Sequence, residues 1–512
     1  MTWLVALPVV IPLVAAGLAL ALAKHSRVQG VISVVALTAV LIVAVALIFV
    51  THTVGPQVVN VGGWAAPVGI AVVTDRLSAL MLVVSAVVLL GVLLYSLAQG
   101  LADGPKGAPV AIYHPTYLVL AAGVAMAFTS GDLFNLYVGF EILLAASFVL
   151  LTLGGTGERI RAGAIYVVVS LLSSLLFLIS IALLYGATGT LNLAQLADRI
   201  DALDPGLQTV LQIMLLMGFA IKAAIFPLSA WLPDSYPTAP APVTAVFAGL
   251  LTKVGVYAII RTQTLLFTDG TLDTVLMVAA LLTMLVGIAG AVAQEDIKRL
   301  LSFTLVSHIG FMIFGISLAS DVGLSAAIFY VAHHITVQTA LFLVSGLIER
   351  RGGTTSLVRL GSLAKVAPAL GVVFFVSAMN LAGIPPMSGF LGKAGLLQAG
   401  LEDGTPLALV GVAVGLATSL LTLYAVVKAW NKAFWQEAPA PLPEASVPRG
   451  MFGPTAVLAA VGVVIALVAG PLYSYTDAAA RDLRLQDPYI SSVLVDDGRG
   501  EGQSADAQGG DS

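Results

Sequence analysis

The sequence contains no cysteine and very little charge, and each shortage narrows what the chain can be. Without thiolates there are no ligands for an iron–sulfur cluster and no thiol nucleophile. Any electron transfer coupled to this chain therefore belongs to another subunit. Only 10% of the 512 residues are charged, against roughly 25% in soluble domains, so most of the surface faces something other than water. The sequence also lacks a phosphate-binding glycine loop, zinc-ligand spacing, a nucleophile elbow and a basic patch for nucleic acid. No metal, no cofactor and no nucleic-acid partner is expected.

What the chain has instead is apolar length. Hydrophobic residues make up 59% and the mean hydropathy is +1.02. Apolar runs of ~20 residues, enough to cross a bilayer core as helix, recur along it. They predict an all-α integral membrane protein with about fourteen transmembrane helices, near 3–23, 28–50, 74–98, 113–129, 133–153, 163–186, 207–226, 243–261, 274–293, 301–318, 323–348, 367–399, 406–427 and 453–474. The first run, from Trp3 to Ala23, follows no basic segment and precedes no cleavage site. It reads as a retained helix rather than a signal peptide. The segment 476–512, rich in Gly, Asp and Ser towards its end, is expected to be a polar, disordered external tail.

Loop charges orient the spans. Loops after odd-numbered helices hold Lys24, Arg27, Lys106, Arg159, Arg161, Lys298, Arg299, Arg350, Arg351, Arg359, Lys365, Lys428, Lys432 and Arg449. Loops after even-numbered helices hold only Arg199 and Arg261. By the positive-inside rule the odd loops are cytoplasmic, which puts both termini outside a multi-pass protein of the cell membrane. Arg76 follows Asp75 at the outer end of the third span, where the two could pair as an interfacial anchor.

Three lysines and one acid fall inside apolar spans: Glu141, Lys222, Lys253 and Lys393. Glu141 lies eight residues past Leu133, roughly 12 Å into the membrane. A central charge costs about 2.5–3.5 kcal/mol on insertion scales, so the set opposes insertion by on the order of 10 kcal/mol. Snorkelling suits a lysine near a helix end, as for Lys222 beside Pro227, but Glu141 and Lys253 are too deep for it. Burial disfavours the charged forms of amines and carboxylic acids, so such groups can pass protons near neutral pH. Histidine titrates there already, which adds His308, His333 and His334, although a lone histidine is more often a satisfied packing residue.

Two spans carry helix breakers. The seventh meets Pro227, Pro233, Pro237, Pro240 and Pro242, and the twelfth meets Gly383, Pro385, Pro386 and Gly389. Broken helices at membrane depth are tolerated where they line a polar cavity, and they recur at matching positions of internal repeats. The chain divides accordingly: an N-terminal three-helix segment 1–112, a first five-helix repeat 113–265, a second 266–435, helix fourteen in 436–475, and the tail. Five is odd, so the repeats would be inverted, with broken helices seven and twelve corresponding and Lys222 related to Lys393.

The stretches GDLFNLYVGFE, KAAIFPLSAWLPDSYPTAPAPVTAVFAGLLTKVGVYAIIR, LLSFTLVSHIGFM, HHITVQTALFLVSG and GIPPMSGFLGK resemble the antiporter-like proton-translocating family. That family comprises Mrp-type cation/proton antiporter subunits, complex I membrane-arm subunits and related hydrogenase subunits. Within it, NLYVGFE and GIPPMSGFLGK are most similar to Mrp antiporter D subunits, and the chain length agrees. The resemblance implies that Glu141 and Lys222 are a coupled pair, that Lys253 and His334 lie on a central hydrophilic axis, and that Lys393 stands at the exit. It also implies a hetero-oligomeric membrane complex with other antiporter subunits, and a transporter rather than an enzyme. The family commonly places a lysine where this chain has Gln338, which weakens the step between Lys253 and Lys393. A proton-translocating subunit of a multisubunit Na+/H+ antiporter is the leading expectation. The alternatives are a proton-pumping subunit of complex I or a membrane-bound hydrogenase, and a scaffold whose charges are vestigial. A single deep acid gives Na+ no carboxylate cluster, so Na+ is expected to pass mainly elsewhere in the complex.

Overall fold

The computed structural model describes residues 2–100 and 110–494. Lys106, expected in a cytoplasmic loop, and the end of the expected tail, 495–512, lie outside the described residues. A first group of helices runs α1 Leu7–Ala21, α2 Ser26–Thr53, α3 Arg76–Gln99, α4 Val110–Thr129, α5 Leu133–Thr152, α6 Gly157–Thr188, α7 Leu193–Asp201, α8 Pro205–Ala223, α9 Trp231–Ser235, α10 Ala241–Val246 and α11 Thr252–Leu265. A second runs α12 Asp273–Ala293, α13 Ile297–Ser317, α14 Asp321–Gly352, α15 Leu363–Val366, α16 Pro368–Ala382, α17 Ser388–Asp403, α18 Pro406–Trp430, α19 Arg449–Leu467, α20 Ala469–Leu485 and α21 Asp487–Leu494. An antiparallel hairpin, β1 Gln57–Asn60 and β2 Ala71–Thr74, sits between α2 and α3.

Among the described residues twelve helices are long and apolar enough to cross a membrane, taking α10–α11 as one. The shorter apolar helices α1 and α16 occupy the places of the expected first and twelfth spans. Lipid can cover an apolar helix, so enclosure by protein falls to the helices that carry polar side chains at membrane depth. Accordingly the central stretches of α14 and α10–α11, which carry His333, His334, Gln338 and Lys253, are enclosed, whereas α2, α6, α18 and α19 leave outer faces open.

One local device occurs twice. Asp132 caps α5 by accepting from the backbone N–H groups of Phe134 and Asn135. Asp296 caps α13 in the same way, from Lys298 and Arg299. Each cap residue also forms an isolated antiparallel bridge, to Asn192 and to Ser356, in both cases sixty residues on. Between each cap and its bridge partner lies a 32-residue helix, α6 or α14. Glycines set the helix pairs beside them at close range. A Cβ on Gly123 would stand 2.6 Å from the backbone N of Leu143, and one on Gly287 would stand 2.3 Å from that of Ser307. All these pairs share one offset of 164 residues.

The segment expected to be a disordered tail departs from that expectation as far as Leu494. Helices α20 and α21 pack on the bundle because their inner faces are apolar, with Ala479, Ala480, Leu483 and Val493 buried. Arg484 pairs with Asp321 at 3.2 Å, and Tyr473 stacks on Phe329 with ring centroids 4.3 Å apart.

Candidate functional site

Glu141, in the middle of α5, and Lys222, in the last turn of α8, face each other across α6. The Lys222 Nζ stands 3.9 Å from Glu141 Oε1. Ser174 of α6 lies between them: Lys222 Nζ donates to Ser174 Oγ at 2.8 Å, and that hydroxyl donates to Glu141 Oε1. The ammonium also sits 5.4 Å from the centroid of the Phe140 ring, a contact that stabilises a cation away from water. The side chain of Lys222 is 5% exposed and that of Glu141 is 32%, so the acid opens to the outer face of the chain while the lysine points inward. A cavity of about 20 Å³ beside Lys222, bounded by Ser170, Ser173, Tyr166, Trp231 and Tyr236, has room for roughly one water.

The helix breaks lie where the prolines and glycines place them. Helix α8 ends with Ala224 at φ +59°, and α16 ends with Gly383 at φ +86°. At both, the following N–H reaches back five residues, Ile225 to Ala220 O and Ile384 to Met379 O, which is the Schellman closure of a helix C-terminus. Pro227 lies in the first gap, Pro385 and Pro386 in the second, and Gly389 opens α17. A Cβ at Gly389 would lie 1.9 Å from Asn380 O, so only glycine allows the two half-helices to approach this closely.

The two lysines are not at matching sequence offsets, contrary to a simple repeat relation. Lys222 precedes its break on the first half-helix, and Lys393 follows its break on the second. They converge in chemistry, however. Lys393 folds back across the gap and donates to Ala382 O, the last residue of α16, at 3.0 Å. Each ammonium thus lies at the C-terminal end of a half-helix, where the helix dipole presents about half a negative charge. Lys393 also lies 4.9 Å from the Phe311 ring centroid.

Lys253 is fully buried. Just before it the helix widens into a π-turn, Phe247–Leu251, and Lys253 Nζ donates to Ala248 O at 2.6 Å. π-turns free carbonyls from the helical ladder and cluster at functional positions. Gly255 lets α11 touch the end of α8: its Cβ would be 2.8 Å from Ala223 N.

The histidines form a cluster. His308, in mid-α13, receives or gives a hydrogen bond with Tyr330 at 3.0 Å and stacks near His334, with ring centroids 5.2 Å apart. His333 bonds Ser388 at 2.9 Å, and the single Ser388 hydroxyl proton has Asn380 Oδ1 and the Gly462 carbonyl as alternative acceptors. His308 also stands edge-on to Phe311, the ring that Lys393 overlies. Gln338, one turn along α14, donates to Leu301 O at 2.8 Å. Both ring nitrogens of His334, Nε2 of His308 and of His333, and Oε1 of Gln338 have no hydrogen-bond partner among the described residues. Buried polar atoms without a protein partner are as a rule satisfied by ordered water. Ser174, Tyr330, Ser388 and Asn380 escape sequence reasoning. A serine pair in SLLSSLL and a lone asparagine in an apolar helix are faint signals.

Charges outside this axis sort into two ends. At the end bearing most loop lysines and arginines, a vestibule of about 620 Å³ reaches Ala241 and Gly346, lined by Arg159, Asp296, Lys298 and Glu349. Lys298 pairs with Glu349 there at 2.6 Å. At the other end, Arg261 is not a loop residue as expected but a buried member of α11, because it has a buried counterion: Asp75 at 2.7 Å. Tyr257 and Tyr489 stack on its guanidinium. The expected Asp75–Arg76 pair does not form, since Arg76 pairs with Asp482 of α20 instead. Burial alone would push the Asp75 carboxyl up, but Arg261 and the Ser78 hydrogen bonds outweigh it and hold it below its ordinary value of 3.8. Among the described residues no group of three or more acids and histidines could hold a metal ion.

The transmembrane family described as NADH:quinone oxidoreductase/Mrp antiporter matches residues 130–422. The D subunit of the Na+/H+ antiporter of Alkalihalophilus pseudofirmus OF4 is 39% identical over 496 residues, covering 96% of this chain and 99% of that one. Among solved structures, a chain of the Mrp complex from Dietzia sp. DQ12-45-1b superposes with a TM-score of 0.89 at 34% identity, covering 96% of this chain and all of that one. A chain of respiratory complex I from Thermus thermophilus superposes with a TM-score of 0.80 at 25% identity, covering 94% and 99%.

Proposed function

The chain belongs to the NADH:quinone oxidoreductase/Mrp antiporter transmembrane family, and from that premise we propose that it is the proton-translocating D subunit of a multisubunit Na+/H+ antiporter. It works with the other antiporter subunits in a hetero-oligomeric complex of the cell membrane, as a transporter and not an enzyme. Fourteen helices cross the membrane, α1 and the broken pair α16–α17 included, with both termini outside. Residues 113–265 and 266–435 form inverted repeats, a reading supported by the paired caps and their constant offset.

Protons move along Glu141, Lys222, Lys253, the histidine cluster and Lys393. A lysine paired with a carboxylate holds its proton, and one drawn away from it in a low-dielectric site releases it. The observation that carries the reading is the buried histidine cluster, in which His334 stacks 5.2 Å from His308 while His308 and Lys393 both lie against the Phe311 ring. The step that Gln338 leaves without a titratable group passes through His308, His334 and His333, with Gln338 ordering water beside them. The similarity to complex I supports shared bundle chemistry, while the higher identity to the D subunit of an antiporter favours exchange over redox drive.

The test is Na+-dependent collapse of a proton gradient in inverted vesicles carrying the whole complex. Glu141→Ala, Lys222→Ala and Lys393→Ala should each abolish it without loss of assembly. Full activity in all three would sink the relay. Purification with cysteine-rich electron-transfer subunits instead of small antiporter subunits would overturn the antiporter assignment.

A further inference from the structure

We infer that Ser174 is a working member of the Glu141–Lys222 pair, a hydroxyl that both separates the two ions and carries the proton between them. The inference rests on the relay reading above and adds a residue to it.

Buried serines in this bundle commonly turn back on their own helix. Ser180 and Ser302 each donate to the carbonyl four residues earlier, and Ser345 to the one three residues earlier. That is the usual resting place of a helical serine with no other duty. Ser174, 3% exposed, instead aims out of α6, accepting from Lys222 Nζ and donating to Glu141 Oε1. The two bonds run in one direction, N–H to hydroxyl to carboxylate. The ions remain 3.9 Å apart, beyond the 2.7–2.9 Å of a direct charge-assisted bond.

This order of donors permits a balanced transfer. The Lys222 N–H bond breaks as a new O–H bond forms on Ser174, and the proton already on Ser174 moves to Glu141 Oε1. The products are a neutral amine, a restored hydroxyl and a neutral carboxylic acid. Running the steps backwards resets the pair, and no charge is ever stranded in the low-dielectric interior. Without the hydroxyl, ammonium and carboxylate close into direct contact, which holds the proton on Lys222.

The internal offset adds an independent argument. Residue 174 plus the 164 that relates the caps and glycine contacts is Gln338, as Tyr166 corresponds to Tyr330. Gln338 is likewise a fully buried polar side chain that reaches off its own helix, to Leu301 O. The two halves thus put a hydrogen-bonding side chain at the same station.

The experiment compares Ser174→Ala and Ser174→Thr in inverted vesicles carrying the whole complex, with rates normalised to the amount of assembled complex and measured across pH. Ser174→Ala should slow Na+-dependent collapse of the proton gradient at least about tenfold and move its pH optimum upward, by about one unit. Ser174→Thr, which keeps the hydroxyl, should return the rate to within about threefold of wild type. Should the alanine chain fail to assemble, Ser174→Cys, a weak donor of similar shape, should show the same loss. A wild-type rate and profile in Ser174→Ala overturns the inference, as do equal losses in the alanine and threonine variants. Glu141→Ala and Lys222→Ala, run alongside, separate the failures. If both are inactive while Ser174→Ala is fully active, only the hydroxyl's role falls, and if both are active the relay itself falls.

Discussion

Replacing Lys222 by arginine separates a fixed charge from an exchangeable proton. The guanidinium keeps the positive charge at the C-terminal turn of α8, where the helix dipole favours it. Its longer fork still reaches Ser174 Oγ and Glu141, which lie 2.8 Å and 3.9 Å from the present ammonium. The cavity of about 20 Å³ at this position takes up part of the added width. The pair, and with it the packing of α5, α6 and α8, should survive. What changes is proton release, since arginine holds its proton at least about 100-fold more tightly than lysine in the same surroundings. A hundredfold is about 2.7 kcal/mol on the release step. Na+-dependent collapse of a proton gradient in inverted vesicles should therefore fall by about 100-fold in Lys222→Arg, matching Lys222→Ala, while the composition of the purified complex stays that of wild type. A wild-type rate in Lys222→Arg beside an inactive Lys222→Ala would refute the reasoning, because a permanent charge would then suffice.

Two further predictions concern the scaffold. Gly255→Ala drives a methyl to 2.8 Å from the Ala223 backbone N. Separating α11 from α8 should cost about 1–3 kcal/mol, lowering the melting temperature of the purified complex and the exchange rate together, and no change in either would show that the contact yields freely. The Asp75–Arg261 pair should make stability fall at acid pH. Because the folded carboxyl lies below its ordinary 3.8, its contribution is complete above that value and is lost as pH falls through the folded one. Thermal unfolding should be flat in this term from pH 7 to 5 and drop below pH 4, and Asp75→Asn should remove the acid-sensitive part, with about 3–5 kcal/mol lost at neutral pH.

Much of the architecture is legible because membrane insertion leaves coarse marks on a sequence. Hydropathy locates the helices, and Gly and Pro locate both breaks. The geometry inside the bundle is harder to read. Arg261 looks like a loop residue because its counterion, Asp75, lies far away in sequence and only the fold joins them. Helices α20 and α21 escape hydropathy because their polar outer faces dilute an amphipathic segment that lies against the bundle instead of crossing it. Ser174 is invisible for a different reason: a serine in an apolar helix is ordinarily silent, and only its direction gives it a role. The proposed repeat is faint to direct comparison because its support lies in a cap, a glycine contact and a tyrosine rather than in runs of identity. The constant offset from Gly123 to Gly287, Asp132 to Asp296 and Tyr166 to Tyr330 is nonetheless present in the sequence.

The vestibule has an electrical consequence. A space of about 620 Å³ lined by charged side chains conducts far better than packed helix, so it carries the potential of its own bath down to Ala241 and Gly346. The opposite end is stopped by the Asp75–Arg261 pair beneath Tyr489 and α21. The membrane voltage must then fall across the shorter dry stretch between, which contains Lys253 and His334. A unit charge crossing a full bilayer feels about 2.3 kcal/mol per 100 mV, and here that energy is compressed into a thinner insulating layer. The field at the centre of the protein is correspondingly steeper, so the voltage sensitivity of transport concentrates on the central steps of the proposed relay.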